Sequence, residues 1–181
     1  AVKEIVIVTR EDLIPKITSL CGKFDKVRAV VVGGKDRAES VKNGLTMLSK
    51  KVKLVAVQDG ARPLITGAVI DRTIRAAHTY GAAAPAIPVK DTIKVVKGGI
   101  VSSTSDRNTL KAIQTPQVFD YDLLRGALKN AAQKELEITD DCSAVEAMGF
   151  VVKIVEGDER NIKITTPLDL KIGELLLEEM K

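Results

Sequence analysis

Apolar positions along this chain keep two rhythms that alternate. Glu4 to Thr9 (EIVIVT) is a short β-branched run of the kind that forms a buried strand. In the segment from Asp12 to Cys21, Ile14, Ile17, Leu20 and Cys21 share one helical face, and Gly22 closes it. Val27 to Val32 is a second buried strand, broken by Gly33-Gly34. Asp36 and Glu39 make a capping-box pattern for a helix through Leu48, with Val41, Leu45 and Leu48 at helical spacing. Lys53 to Gln58 predicts a third strand and Asp59 to Pro63 a turn. Thr66 caps a helix that Gly81 stops after Tyr80, and Ala83 to Ile87 is a fourth short strand.

The rhythm then changes. Thr92 to Val96 and Ile100 to Thr104 flank Gly98-Gly99, the signature of a hairpin with a two-residue turn. Its polar and apolar residues alternate, so one face is expected to pack. Asp120 opens a helix carrying Leu123, Leu124, Ala127, Leu128 and Ala131. Thr139 caps a short helix ending at Gly149, Val151 to Val155 is a strand, and Thr166-Pro167 opens a last helix with Leu168, Ile172, Leu175 and Leu176 as its core face. The order predicts one α/β domain over residues 1–181, with a Rossmann-like, mostly parallel sheet, helices on both faces and a protruding β-arm at 89–108.

Composition narrows the class. With 45% hydrophobic and 29% charged residues in 181, the chain can bury a full core and is not disordered. No apolar run reaches the length of a membrane span, and no secretory signal opens the chain, so a cytoplasmic protein is expected. A net charge of +4, spread along the chain, suits an anionic small ligand as well as a nucleic acid. Five aromatics are too few for base-stacking platforms, so nucleic acid is not the expected partner. Cys21 and Cys142 form no CxxC and read as free thiols of a reducing compartment. The single histidine, His78, excludes a His-rich metal site and reads as a surface residue.

Ligands of open α/β sheets bind beyond the carboxyl ends of the strands, and three turns fall there. Gly33-Gly34 allows close backbone approach ahead of a helix N-terminus, or is simply a turn; it matches neither GxGxxG nor a P-loop. Asp59-Gly60-Ala61-Arg62-Pro63 places a carboxylate and a guanidinium three residues apart. They suit hydroxyls, phosphate or a phosphate-bound metal, or form a salt-linked turn. Lys163 and Thr165 precede the last helix cap and could hold an anion. Asp140 and Asp141, in the first turn of a helix, read as acids placed by the helix dipole, and Cys142 as a packed inert thiol.

No one motif decides function, but their order does. The chain runs Gly-Gly-x-x-Arg-x-x-Ser-Val-x-x-Gly-Leu, Asp-Gly-Ala-Arg-Pro, Pro-Val-x-Asp-Thr-Ile-Lys, Asp-Arg-Asn, Gln-Thr-Pro-Gln-x-Phe, Thr-Asp-Asp-x-Ser-Ala-Val-Glu, and Glu-Gly-Asp-x-x-Asn-Ile-Lys-Ile-Thr-x-Pro-x-Asp-Leu. This series resembles the 2-C-methyl-D-erythritol 4-phosphate cytidylyltransferases, of the nucleotide-diphospho-sugar transferase-like fold. The resemblance implies transfer of CMP from CTP to 2-C-methyl-D-erythritol 4-phosphate, with release of pyrophosphate, in non-mevalonate isoprenoid synthesis. It implies Mg²⁺ held mainly by the CTP phosphates, with Asp59 as a possible contact. Lys163 matches the family lysine at the α-phosphate. Gly33, Gly34 and Ser40 match residues around the cytosine. Asp59 and Gly60 match the ribose, metal and methylerythritol side. Arg62, Thr139 and Thr165 match substrate or phosphate contacts, and Thr115 a position near the substrate phosphate. In the family the β-arm crosses to a second subunit, so Thr92 and Arg107 would serve the partner's site in a homodimer.

Three features depart from the pattern. Gln58 stands where many members have histidine, and Lys35 where an acid often follows the two glycines. The family's opening strand and its Pro-Ala-Ala-Gly-x-Gly-x-Arg-Met loop, which wrap the triphosphate, have no match here. The first strand of this chain resembles the family's second, which implies weak CTP binding by this chain alone. Ribitol-5-phosphate cytidylyltransferase shares the fold and the Asn-Ile-Lys-Ile-Thr-type block, but the Asp-Gly-Ala-Arg-Pro form favours methylerythritol phosphate. A non-catalytic binding module is the alternative of a different class.

Overall fold

Parallel pairing of Ile5–Thr9 (β1) with Val27–Val32 (β2), in register from Val6↔Ala29 to Thr9↔Val32, opens the fold. The computed structural model describes residues 2–179. Between these strands the predicted helix starts as a 3₁₀ turn, Glu11–Leu13, and continues as α1, Ile14–Cys21, with Pro15 in its first turn, where its missing N–H costs nothing. The helix Arg37–Thr46 (α2) packs over β1 and β2. Asp36 caps it by accepting from the Glu39 amide at 2.8 Å. The reciprocal half of the capping box reaches one residue further back, where the Glu39 carboxylate accepts from the Lys35 amide at 2.8 Å.

The strand Leu54–Val57 (β3), the helix Gly67–Tyr80 (α3) and the strand Ala82–Pro88 (β4) follow as the pattern predicts. Thr66 occupies the N-cap of α3, but its hydroxyl makes no capping bond, contrary to the expected cap. Next comes the arm, Lys94–Lys97 (β5) and Ile100–Thr104 (β6), joined by Gly98 and Gly99 at φ 56° and 80°. Two consecutive positive φ values make the turn whose twist suits a tight hairpin. Within the single chain neither face of the arm packs, and every residue of both strands is exposed.

Two short strands had no sequence prediction: Lys111–Ile113 (β7) and Gln117–Asp120 (β8). They are followed by Tyr121–Gln133 (α4), Asp141–Glu146 (α5), Lys153–Glu156 (β9) and Pro167–Glu179 (α6). β8 runs antiparallel between β3 and β4, β7 continues antiparallel along β4, and β9 pairs parallel to β4. β3, β4 and β9 therefore share one direction, as strand–helix alternation demands, while β7 and β8 make the sheet mixed. β1 and β2 form a separate parallel pair.

Alternation along β4 and β8 builds a core on each face. Ala83 and Val118 pack against Ala77 of α3 on one side. Ala82, Ala84 and Phe119 pack against Leu124, Leu128, Cys142 and Val145 from α4 and α5 on the other. The alanine-rich β4 lets helices approach both faces closely.

The last helix corrects an expectation. Leu168, Ile172 and Leu175 do not form its core face; Leu168 and Leu175 are 65% and 64% exposed. The inward side is Asp169, Gly173 and Leu176, with Gly173 the one buried residue among those described, seated against Ile164. The smallest residue sets the contact because it allows the closest approach. No helix of the described residues is long and apolar enough to cross a membrane.

Phe119 is fully buried at the centre of the larger core cluster. Phe119→Ala is expected to destabilise the fold by about 3–5 kcal/mol, the range for an aromatic truncated in a core. Urea unfolding reads this as a lower midpoint at unchanged slope. A loss below about 1 kcal/mol would place the main core elsewhere.

Candidate active site

Asp59 stands in the loop that leaves β3, and three cations converge on it, Arg62 from the same turn and two from elsewhere in the chain. Arg37, the first residue of α2, donates Nη1–H to Asp59 Oδ1 at 2.8 Å. Lys163 Nζ lies 3.1 Å from Oδ2, and Arg62 Nε lies 3.8 Å from the same oxygen. The Asp59 amide donates to Thr115 Oγ at 3.1 Å, which ties the loop to the segment between β7 and β8. A cavity of about 160 Å³ opens over this group, lined by Arg37, Asp59, Arg62, Thr115, Thr139 and Lys163 among others.

The loops around the cavity are held by buried amides. Asn161 is fully buried and donates Nδ2–H to the Thr115 carbonyl at 2.9 Å. Its own carbonyl accepts from Arg62 Nη1 at 2.7 Å. Gln114 donates to the Asp158 carbonyl at 2.8 Å and accepts from the Asp158 amide at 3.2 Å. This clasp passes over Gly157, where a Cβ would sit 2.5 Å from Gln114 Oε1 and 3.1 Å from the β4 backbone, so only glycine fits. The Ile164 amide donates to the Ala61 carbonyl at 2.8 Å, which sets Lys163 beside the Asp59 turn. Gln58 donates Nε2–H to the carbonyls of Asp59 and Arg62, so at this position the side chain staples the turn.

On the other side, Gln117 of β8 accepts from the amides of Asp141 and Cys142 and donates to Asp140 Oδ2 at 2.6 Å. Asp140, not Thr139, is the N-cap of α5, and it forms a capping box with Ser143. Thr139 therefore loses its expected cap role and stands on the cavity wall. Asp141 is more than an acid placed by the helix dipole. Its side chain is 1% exposed and accepts from Arg37 Nη2 at 2.7 Å.

Charge and burial compete at each group. Burial alone would raise the Asp59 carboxyl, but the Lys163 hydrogen bond and the Arg37 charge outweigh it and hold it below its ordinary value. At Asp141 burial wins over Arg37 and the carboxyl is pushed up. Burial opposes the Arg37 charge, yet the two carboxylates hold the guanidinium more firmly protonated. Burial pushes the Arg62 guanidinium down, with Asp59 opposing. The buried Cys142 thiol is pushed up, which keeps it an inert thiol.

Of the residues singled out in the sequence, Asp59, Arg62, Thr115, Thr139 and Lys163 meet at this cavity. Gly33, Gly34 and Ser40 form the adjoining turn, where Ser40 Oγ accepts from the Gly34 amide at 3.0 Å and donates to the Asp36 carbonyl. Gly60 is exposed, with open space where a side chain would stand. Thr165 bonds Asp169 Oδ2 through its amide and hydroxyl, and so helps cap α6. Thr92 and Arg107 do not reach the cavity of their own chain; Arg107 donates to the Lys90 carbonyl at 2.8 Å. Lys35 and His78 are exposed. Arg37, Asp141, Gln114, Gln117 and Asn161 were missed as site residues. Their one sequence signal was polarity inside recurring blocks.

Both Asp59 oxygens already face cations, so the carboxylate is not poised as a metal ligand. Among the described residues no group of three or more His, Cys, Asp or Glu side chains could hold an ion. The donor set does not fit a divalent cation bound directly by this chain.

Comparison with known proteins gives the family and the fold. The family model described as "IspD: 2-C-methyl-D-erythritol 4-phosphate cytidylyltransferase" matches residues 1–179. The 2-C-methyl-D-erythritol 4-phosphate cytidylyltransferase of Caldanaerobacter subterraneus subsp. tengcongensis is 45% identical over 98% of this chain and 80% of its own length. The crystal structure of the 4-diphosphocytidyl-2C-methyl-D-erythritol synthase of Anaerococcus prevotii superposes with a TM-score of 0.90 at 33% identity, covering 97% of this chain and 79% of that one. The Thermus thermophilus cytidylyltransferase structure gives 0.83 at 35% identity, covering 96% and 81%.

The two carboxylates have opposite pH signatures. Asp59, depressed below 3.8, contributes stability that is present above 3.8 and lost as pH falls through its folded value. Asp141, raised above 3.8, contributes stability that is full below 3.8 and lost as pH rises through its folded value. Asp59→Asn is therefore expected to flatten the acid limb of a midpoint-versus-pH curve and to cost about 1.5–3 kcal/mol at neutral pH. Asp141→Asn is expected to remove the decline above 3.8. Urea midpoints across the acid range check both; curves parallel to the wild type would contradict the pairing.

Proposed function

The chain belongs to the 2-C-methyl-D-erythritol 4-phosphate cytidylyltransferase family, and from that premise we propose how its residues share the work. The family's reaction transfers CMP from CTP to 2-C-methyl-D-erythritol 4-phosphate. An oxygen of the substrate phosphate attacks the α-phosphorus in line. The bond from that phosphorus to the leaving pyrophosphate breaks, and 4-diphosphocytidyl-2-C-methyl-D-erythritol forms. Little covalent work falls to the protein, so positioning and charge stabilisation carry the rate.

One observation carries the assignment: Lys163 Nζ, half-exposed and 3.1 Å from Asp59, faces a cavity that also presents Arg62, Thr115 and Thr139. Lys163 stabilises the charge that builds on the α-phosphate oxygens, and Asp59 holds the ammonium in place before substrate arrives. Arg62 and the hydroxyls of Thr115 and Thr139 hold the substrate phosphate. Thr165 stands next to Lys163 at the α6 cap. Gly33, Gly34 and Ser40 supply the base side, and Gly60 leaves room beside the sugar.

Magnesium, when bound with CTP, would supply charge neutralisation on the triphosphate. The pairing of both Asp59 oxygens supports placing the ion on the CTP phosphates and not on this carboxylate.

The arm at 89–108 acts in trans, with Thr92 and Arg107 completing the site of a second subunit in a homodimer. Supporting this, Ile100 and Val101 are 75% and 54% exposed in the single chain, and neither Thr92 nor Arg107 lines its own chain's cavity. Free cysteines and the family's soluble substrates support a cytoplasmic setting.

Lys163→Ala is expected to lower kcat by about 10²–10³, the loss seen when one preorganised transition-state donor is removed, with the thermal midpoint little changed. A coupled pyrophosphate-release assay with methylerythritol phosphate and ribitol phosphate reads it. Preference for ribitol phosphate would overturn the substrate assignment, and an unchanged rate the role of Lys163. Arg107→Ala and Lys163→Ala chains, inactive separately, are expected to regain about a quarter of wild-type activity when mixed. Half the dimers are then mixed and each holds one intact site. No recovery would mean that each site is built within one subunit.

A further inference from the structure

Arg37 is the residue whose placement the reaction as described leaves unused. Its guanidinium forks between two carboxylates, Nη1 to Asp59 Oδ1 at 2.8 Å and Nη2 to Asp141 Oδ2 at 2.7 Å. Asp141 is buried at the start of α5, and its backbone is fixed by Gln117. Asp141 Oδ1 and Arg37 Nε are buried and find no hydrogen-bond partner among the described protein groups.

A carboxylate free to turn about its last torsion exchanges its two oxygens. Arg37 removes that freedom from Asp59. With Oδ1 held by a fork whose second arm is anchored on Asp141, only Oδ2 is left for Lys163 at 3.1 Å and Arg62 Nε at 3.8 Å. The Asp59 backbone is pinned separately by Thr115. We propose that Arg37 is a positioning residue: anchored on the buried Asp141, it orients Asp59 and thereby sets the place of the Lys163 ammonium. A lysine at 37 cannot substitute, because a point charge does not bridge two carboxylates as a planar fork does. The proposal rests on the reading of Lys163 as the group at the α-phosphate.

The test uses Arg37→Ala, Arg37→Lys and the double variant Arg37→Ala/Asp141→Asn, with three readouts: thermal midpoint, separate kcat and KM for CTP, and the rate at which Lys163 is acetylated relative to the other lysines, followed by mass spectrometry. Arg37→Ala is expected to lower the midpoint, since it strands a buried carboxylate. The double variant removes that carboxylate's charge and returns the midpoint toward wild type. In all three variants kcat is expected to fall about 10–100-fold, the scale for a catalytic group misplaced by an ångström, with KM changed less than about 3-fold. Acetylation of Lys163 is expected to rise several-fold. A double variant that regains kcat together with its midpoint overturns the proposal, because the role is then structural. So does a Lys163 acetylation rate that ignores Arg37. Should wild-type protein show no turnover with either polyol phosphate while Lys163 acetylation still responds to Arg37, the functional reading fails and the positioning stands.

Discussion

Arg37, Arg62 and Lys163 come together because one carboxylate, Asp59, lies between them. Two like charges about 4 Å apart repel by roughly 4 kcal/mol in a medium of surface-like polarity, so three cations cannot share so small a space unneutralised. The elements that deliver them are α2, the turn after β3 and the loop before α6. The rest of the fold can be seen as the means of bringing these segments to one sheet edge. Lys163, half-exposed, keeps one side toward the cavity.

A second constraint is the set of buried amides. Gln114, Gln117 and Asn161 are each at most 3% exposed and bond mainly to backbone groups of other loops. Loops satisfied by water would drift, whereas loops satisfied by buried side chains keep one geometry. The cavity therefore rests on a sheet with an alanine-rich strand and on amide clasps at its end, and both demand close packing. Its electrostatics follow the same logic: burial raises Asp141, while neighbouring cations hold Asp59 down.

Much of this was legible in the sequence, and the failures share a cause. Hydrophobic periodicity marks α3, β4 and α4 because each buries an apolar face, and β1, β2 and β3 because their apolar runs stand out even though the strands are only half-buried. β7 and β8 escaped because they are only three and four residues long, and Gln114 and Gln117, between and within them, are satisfied by distant loops. The Thr139 cap went to Asp140 because two good capping residues stand in a row and Gln117 decides between them. The leucine face of α6 is exposed because docking uses the small Gly173, which a hydrophobicity pattern does not favour.

By itself the sequence determined the strand–helix order, the hairpin arm, the identity of the chemical groups and, through the order of its motif blocks, the family. These are local or cumulative properties, read from spacing and residue type. Only the tertiary structure decided which groups meet. Arg37 and Asp141 are 104 positions apart, and no spacing rule connects them. Lys163 finds Asp59 through an amide-to-carbonyl bond between Ile164 and Ala61. A charge's partner is a matter of distance in space, and that distance is settled when the sheet and its clasps close.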